Sequence, residues 1–486
     1  MEYRLLVGLE VHVQLGLKTK AFCGCKNDFG GIPNSRTCPT CLGLPGALPS
    51  VNKELINSAI LAGHATNSKI RNIVKFDRKH YVYPDLPKGY QISQNDAPIC
   101  DNGFIFIETL SGLKKINIVR IHMEEDSGKS LHLIESENQS YIDFNRAGAP
   151  LLEIVSGPDI NSGEEAVAYL NSLREIFRYL DLSDCSMENG SFRCDVNVNL
   201  LINENDVEYK TPISEIKNLN SFKSIKLAID YEESRQKEEW ILHRKTFESI
   251  GKHTMGFDDK RGITVFQRSK ETVADYRYIK DPDLPLIKLD DVYIESIKSN
   301  KMVELPLDTR IRLKEQYGLS NFDVVTLTSD KNLVKYFEEA VMTSSDPKKV
   351  SNWILSEVLS VLNDREISIL DFNLPPSYIS ELVEFIVSGK VSGKIAKEIF
   401  LEMLKRNVPP AIIINEKNLE QISDKFFIES VVLEVLNENP KSIELYKKGK
   451  SHAIKFMMGQ IMLKTSGRVN PAFANEILMN KLRDVY

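Results

Sequence analysis

Residues 4–15 read Arg4-Leu5-Leu6-Val7-Gly8-Leu9-Glu10-Val11-His12-Val13-Gln14-Leu15. Leu5, Val7, Leu9, Val11, Val13 and Leu15 fall on one side of an extended chain, and Glu10, His12 and Gln14 on the other. That period of two is the mark of a half-buried β-strand. Residues 191–200 repeat it: Phe192, Cys194, Val196, Val198 and Leu200 alternate with Arg193, Asp195, Asn197 and Asn199. Around 140–146, Ile142 and Phe144 oppose Asp143 and Asn145. Strands with one apolar and one polar face predict a largely antiparallel sheet. Ser162-Gly163-Glu164-Glu165 reads as a capping box opening an amphipathic helix with Val167, Leu170, Leu173, Ile176 and Phe177 on one side. Strands and helices without regular alternation place this part in the α+β class.

A chain of 486 residues exceeds one ordinary core. The pattern changes near Pro282-Asp283-Leu284-Pro285 and turns helical beyond about residue 300. Asp346-Pro347 predicts a helix start, running through Val350, Trp353, Ile354 and Leu359. Another helix is expected near 393–405, with a boundary at Pro409-Pro410. Towards the end, Ile454, Met457, Met458 and Ile461 predict a helix stopping near Gly467, and Asn470-Pro471 caps the last one. No apolar run reaches the roughly 18 residues of a membrane span. Met1-Glu2-Tyr3-Arg4 lacks the basic start and apolar block of a signal peptide, so a cytoplasmic protein without membrane contact is expected. Lys and Arg number 62 against 68 Asp and Glu, a net −6. That argues against wholesale nonspecific nucleic-acid binding, yet leaves room for a local basic surface.

Of seven cysteines, four cluster as Cys23-x-Cys25, twelve residues, then Cys38-x-x-Cys41. Four thiolates close a tetrahedral shell around zinc with no open position, a structural arrangement worth roughly 10–16 kcal/mol to local folding. The alternative is four unligated buried thiols. Glu10 and His12 share a strand face, and His122-Met123-Glu124-Glu125-Asp126 sets three carboxylates beside a histidine. Glu153 interrupts an apolar run, and Asp195 and Asn197 project from a third polar face. Such faces converging in one sheet would make an oxygen-rich pocket for Mg²⁺, against the plainer reading of a solvated sheet face. Lys79, Lys88, Arg120, Lys129, Arg146 and Arg193 are available to contact phosphate. No G-x-x-x-x-G-K-[ST] or G-x-G-x-x-G string is present, and the segment from Gly389 to Lys394 is too short to be one. In residues 441–468, Lys441, Lys447, Lys448, Lys450, Lys455, Lys464 and Arg468 face one acid, Glu444, as either a phosphate-contacting surface or a solvated helix face.

Several strings together resemble the B subunit of the Asp/Glu-tRNA amidotransferases: Val7 to Leu15, Cys38-Pro-Thr-Cys-Leu-Gly-Leu-Pro-Gly46, Lys79 to Gln94, Arg120-Ile-His-Met-Glu-Glu-Asp-Ser-Gly-Lys129, Asp143 to Glu153, Met187 to Asn197, Glu215 to Ser221 and Gly467 to Pro471. The resemblance implies a cradle-shaped catalytic domain (1–292), an all-helical domain (293–407) and a small helical tail that touches tRNA (408–486). It implies an ATP-dependent kinase step on the side-chain carboxyl of Glu-tRNA(Gln) or Asp-tRNA(Asn). Ammonia from a partner amidase then completes the amide. The implied partners are the amidase (the A component of the complex), a small C component and the misacylated tRNA. Carried over by position, the Mg²⁺ pocket falls on Glu10, His12, Glu124, Glu125 and Glu153, with Arg146, Arg193 and Asp195 nearby, and the zinc site on Cys23, Cys25, Cys38 and Cys41. Lys79, Lys88, Arg120 and Lys129 are the expected ATP contacts. The chain departs from the family pattern at Ile279-Lys280-Asp281.

Two other functions stay open at this level. A zinc-containing tRNA scaffold without activity would present a basic face rather than clustered carboxylates. A stand-alone ATP-dependent ligase for a free amino acid would need its own nitrogen source, and Cys100, Cys185 and Cys194 sit singly, with no glutaminase constellation around them.

Overall fold

The computed structural model describes residues 2–132, 140–269, 276–417, 419, 424–447, 450, 452–465 and 467–484. The chain forms two compact units, Met1–Leu305 and Pro306–Tyr486. The first is built on strands β1 (Glu2–Gln14), β2 (Lys69–Ile70), β3 (Ile73–Val74), β4 (Asp77–His80), β5 (Tyr90–Ser93), β6 (Cys100–Thr109), β7 (Gly112–Glu125), β8 (Lys129–His132) and β9 (Ser140–Asp143). It continues with β10 (Pro150–Ser156), β11 (Phe192–Glu204), β12 (Val207–Lys210), β13 (Ile213–Lys217), β14 (Lys252–Asp258), β15 (Ile263–Ser269), β16 (Ile279–Lys280) and β17 (Ile287–Lys288).

The main sheet runs β15-β14-β13-β11-β1-β10-β7-β6-β2, with β12 also on β11. Its pairings are antiparallel except β13 with β14. β1 lies at its centre because it can bury one complete face. Val7, Leu9, Val11 and Val13 are wholly inaccessible, and Leu5 and Leu15 nearly so. Val196, Val198 and Leu200 of β11 and Leu152 and Ile154 of β10 extend the same apolar layer. The helices Gly163–Tyr179 and Phe222–His243 supply Tyr169, Leu170, Leu173, Phe177, Ile225 and Ile229 to that core. Removing this surface from water is the main favourable contribution to folding. Ser162 caps the first of these helices by accepting from the Glu165 N–H at 3.1 Å. The reciprocal bond of a capping box goes elsewhere: the Glu165 carboxylate accepts from the Asn161 N–H and pairs with Lys114.

β4, β5 and β16 make a separate small sheet. The departing segment Ile279-Lys280-Asp281 belongs to its frame. Asp281 is fully buried, accepts from Arg78 Nε at 2.8 Å, and takes the N–H groups of Asp283 and Leu284. The alternation expected around 140–146 does not continue past Asp143. Asn145 is buried, and with Asp143 it binds the backbone of Ile32, Asn34 and Arg36.

The second unit is helical, from Pro306–Tyr317 to Pro471–Asp484. Asp346 caps the helix starting at Pro347, accepting from Lys349 N–H, and a π-turn at Ile354–Val358 follows. Two separate apolar cores form, one from Leu313 to Ile414 and one from Ile428 to Leu482. The helix Asp291–Lys301, which spans residue 292, buries Ile294 and Ile297 in the first unit's core. Among the described residues no helix is long and apolar enough to cross a membrane.

Because Leu9 is wholly buried, Leu9→Ala is expected to destabilise the first unit by about 2–5 kcal/mol. Leu110→Ala, at a fully exposed turn, is expected to change stability by less than about 0.5 kcal/mol. Urea-unfolding midpoints of the two variants check both values.

Candidate active site

Residues paired across an antiparallel ladder point to the same side of the sheet, about 5 Å apart. The register therefore turns separate strand faces into rows. One row is His122 on β7, Glu153 on β10, His12 on β1 and Arg193 on β11. A second joins Glu10 to Asp195, and a third joins Asn197 to Glu215 and Thr254. These rows lie on the polar side of the layer whose other face is the core. They line a cavity of about 550 Å³, whose wall also includes Lys79, Tyr81, Gln91, Tyr276 and Tyr278.

His12 Nε2 lies 3.2 Å from Glu153 Oε2, and His122 Nε2 lies 3.0 Å from both Glu153 Oε2 and Glu124 Oε1. Glu124 also accepts from Ser93 Oγ at 2.6 Å and Gln91 Nε2 at 3.0 Å. One ligand atom from each of His12, Glu124 and Glu153 lies within 4.8 Å of the others, and the same holds for Glu10, Asp195 and Glu215. Asn197 Nδ2 donates to Glu10 at 2.8 Å. Lys217 bridges Asp195 and Glu215.

Charge is concentrated here at low exposure. Burial alone would lower the His122 pKa, but Glu153 and Glu124 outweigh it and push it up to about 9. His12 is raised by the same contest. Burial opposes ionisation of Glu153, yet the two histidines hold it well below the usual carboxylate range. Burial also opposes the charge on Lys79, and Glu124, Tyr278 and Glu153 reverse this and raise it. Like carboxylates this close repel strongly unless cations separate them. The two oxygen-rich clusters fit a hard divalent cation in donor type.

The four cysteine sulfurs lie within 4.8 Å of one another. The Cys38 N–H points at Cys41 Sγ at 3.2 Å, and Gly43, at φ +69°, ends the turn Pro39–Leu42. A hydrogen bond from Cys23 pulls the Cys41 thiol down to about 4, while that contact pushes Cys23 up, and burial lifts Cys25 to about 11. A closed four-sulfur donor set fits a tetrahedral zinc ion.

Two family models match this chain: the GatB/GatE catalytic domain over residues 5–295 and the GatB domain over residues 335–482. The chain belongs to the GatB/GatE family. Similar chains, each named as the B subunit of an aspartyl/glutamyl-tRNA(Asn/Gln) amidotransferase, include those of Borrelia hermsii (98% identical), Borrelia turicatae (90%) and Borreliella burgdorferi (75%). Each aligns over 485 residues and covers 100% of both chains.

In this GatB/GatE member the cavity brings together Glu10, His12, Glu124, Glu153, Arg193, Asp195, Lys79 and Arg120. Four expected residues do not line it. Glu125 follows Glu124 on β7, and consecutive strand residues face opposite sides. Its carboxylate turns away, accepting from Lys88 Nζ and from the Ile92 N–H at 3.0 Å. Lys88 is spent on that pair. Arg146 donates to the carbonyls of Ser127 and Gly128 and lies 3.5 Å from Asp126, bracing a loop whose Asp126 and Ser127 line the cavity. Lys129 is exposed on β8, opposite Asp143. Of the tail lysines, Lys464 pairs with Glu434 and Glu438, and Lys448 lies outside the described residues.

The cavity also holds groups to which the sequence reading assigned no role. His122 is one, standing behind Glu124 and Glu153. Glu215 and Lys217 are others, and a five-residue strand shows too little alternation to announce them. Tyr276 and Tyr278 arrive on the segment anchored by Asp281, a tertiary placement with no local signal.

Since Glu153 is the largest influence raising His122, Glu153→Gln is expected to drop the His122 midpoint from about 9 towards 6.5 in the metal-free chain. Histidine-selective NMR titration measures it, and an unmoved midpoint would refute the pairing. By linkage, the stability from this raised imidazole is complete below about 6.5 and fades as pH rises through about 9.

Proposed function

We propose that this chain is the tRNA-binding kinase component of a glutamine-dependent amidotransferase acting in the cytoplasm on Glu-tRNA(Gln), Asp-tRNA(Asn) or both. The amidotransferase role follows from family membership and from the names its relatives carry. The observation supporting the kinase chemistry is one cavity lined by two carboxylate clusters together with Lys79, Arg120, Arg193 and Lys217.

A free carboxylate is a poor electrophile. A side-chain carboxylate oxygen attacks the terminal phosphorus of ATP, the bond to the bridging oxygen breaks, and ADP leaves. Ammonia then attacks the acyl carbon, and phosphate departs with the carboxylate oxygen. Cationic side chains fixed in place favour the first step by stabilising charge on the phosphoryl oxygens. Lys79 is well suited, being held charged by Glu124 and Glu153. His12, Glu124 and Glu153 would hold one Mg²⁺, and Glu10, Asp195 and Glu215 a second. A divalent ion so held supplies bridging and charge neutralisation for the nucleotide phosphates. His122, Ser93 and Gln91 orient Glu124 for that task.

Ammonia would come from a separate amidase (the A component), assembled with the small C component. Cys23, Cys25, Cys38 and Cys41 would hold a structural zinc ion. The reading divides the chain into a catalytic cradle (1–292), a helical middle (293–407) and a tRNA-touching tail (408–486). A scaffold that only held RNA would gain nothing from burying Glu124, Glu153 and Glu215 to 7% exposure or less.

In the reconstituted three-component enzyme, Glu10→Ala and Glu215→Gln are expected to lower ATP hydrolysis dependent on Glu-tRNA(Gln) by at least about 100-fold. Zinc content should stay unchanged. Release of labelled phosphate from ATP is the readout, and turnover at the parent rate in both variants would remove the assignment.

A further inference from the structure

Lys20 has none of its surface exposed. A buried ammonium is costly by several kcal/mol unless an opposite charge compensates it. Among the described residues no carboxylate oxygen lies within 4.0 Å of Lys20 Nζ. Its partners are the Arg36 carbonyl at 2.8 Å, the Phe144 carbonyl at 3.5 Å and Cys41 Sγ at 3.6 Å. Two carbonyl dipoles orient a cation but do not neutralise it. The remaining partner is one of the four clustered sulfurs.

Four thiolates around a divalent ion make a centre of net charge about −2, itself costly to bury. We infer that Lys20 is the resident counter-cation of a metal–tetrathiolate centre, holding its ammonium against Cys41 to keep the ion bound. The inference rests on the metal reading of the cysteine cluster given above. Gly148 backs both the lysine stem and Cys41. Gly148 stands at φ +86°, and a Cβ added there would lie 3.4 Å from Lys20 Cδ and 3.5 Å from Cys41 Cβ. The Ala21 N–H donates to the Gly148 carbonyl at 2.9 Å, tying the lysine segment to that backbone. Gly148 N–H in turn donates to the Asp126 carbonyl, and Asp126 pairs with Arg193 in the cavity. The ammonium thus joins the loop between the two cysteine pairs, through Arg36, to backbone that supports the catalytic face.

The test uses the full chain loaded with zinc, and separately with cobalt(II), in three forms: parent, Lys20→Gln and Lys20→Met. Glutamine removes the charge while keeping an N–H donor on a slightly shorter side chain, so it carries the test if the methionine variant does not fold. Zinc release to a chromophoric chelator is expected to be 10–100-fold faster in Lys20→Gln, the usual scale for groups that support metal ligands. The sulfur-to-cobalt charge-transfer band is expected to move to longer wavelength, because the sulfurs lose a neighbouring positive charge. Release within twofold of the parent overturns the inference. So does faster release with the band unmoved, which would reduce Lys20 to a loop brace. A parent chain that takes up no metal overturns the metal site itself, and the inference with it.

Discussion

The site depends on the antiparallel register that seats β1 between β10 and β11. Opposite Glu10 stands Asp195, and opposite His12 stand Glu153 and Arg193. A slip of one residue would send every polar side chain of β1 into the core and every valine into the cavity. The apolar face prevents that slip. Val7, Leu9, Val11 and Val13 have no accessible surface to give up. Burial on one side of the sheet is therefore what aligns chemistry on the other.

That division of labour explains how so much carboxylate tolerates desolvation. Glu124 and Glu153 face His12 and His122, while Glu10, Asp195 and Glu215 face Asn197 and Lys217. Most of these partners stand two residues along the same strand, directly across the ladder or on its diagonal, distances that the pleat sets in advance. A preorganised polar wall of this kind needs little rearrangement when charged ligands enter. The cysteine module lies outside the cavity, yet Gly148 links it to Asp126 through the backbone.

Much of this was legible from residues alone, where the signal was periodic and local. Alternation in 4–15 and 191–200 set the strand faces, and the cysteine spacing announced a four-sulfur cluster that the structure brings within 4.8 Å. Cap residues Ser162 and Asp346 marked helix starts. Proximity in sequence is not proximity in space. Glu124 and Glu125 are neighbours in the chain, but the pleat sends one to the cavity and the other to Lys88. Asp143 and Asn145 read as one polar strand face, yet they bind the loop between the cysteine pairs. Lys464 counts towards a basic tail in sequence, although acids from another helix, Glu434 and Glu438, meet it. Glu215, Lys217 and Tyr276 enter the site through long-range packing, which no window of sequence records.

A divalent ion held where the cross-strand rows converge can be located directly. The direct measurement is anomalous X-ray scattering from crystals of the chain soaked in Mn²⁺. A manganese peak bounded by His12 Nε2 and the carboxylates of Glu124 and Glu153 is expected. A well-ordered cavity with no peak there, at Mn²⁺ concentrations that support ATP hydrolysis, would contradict it.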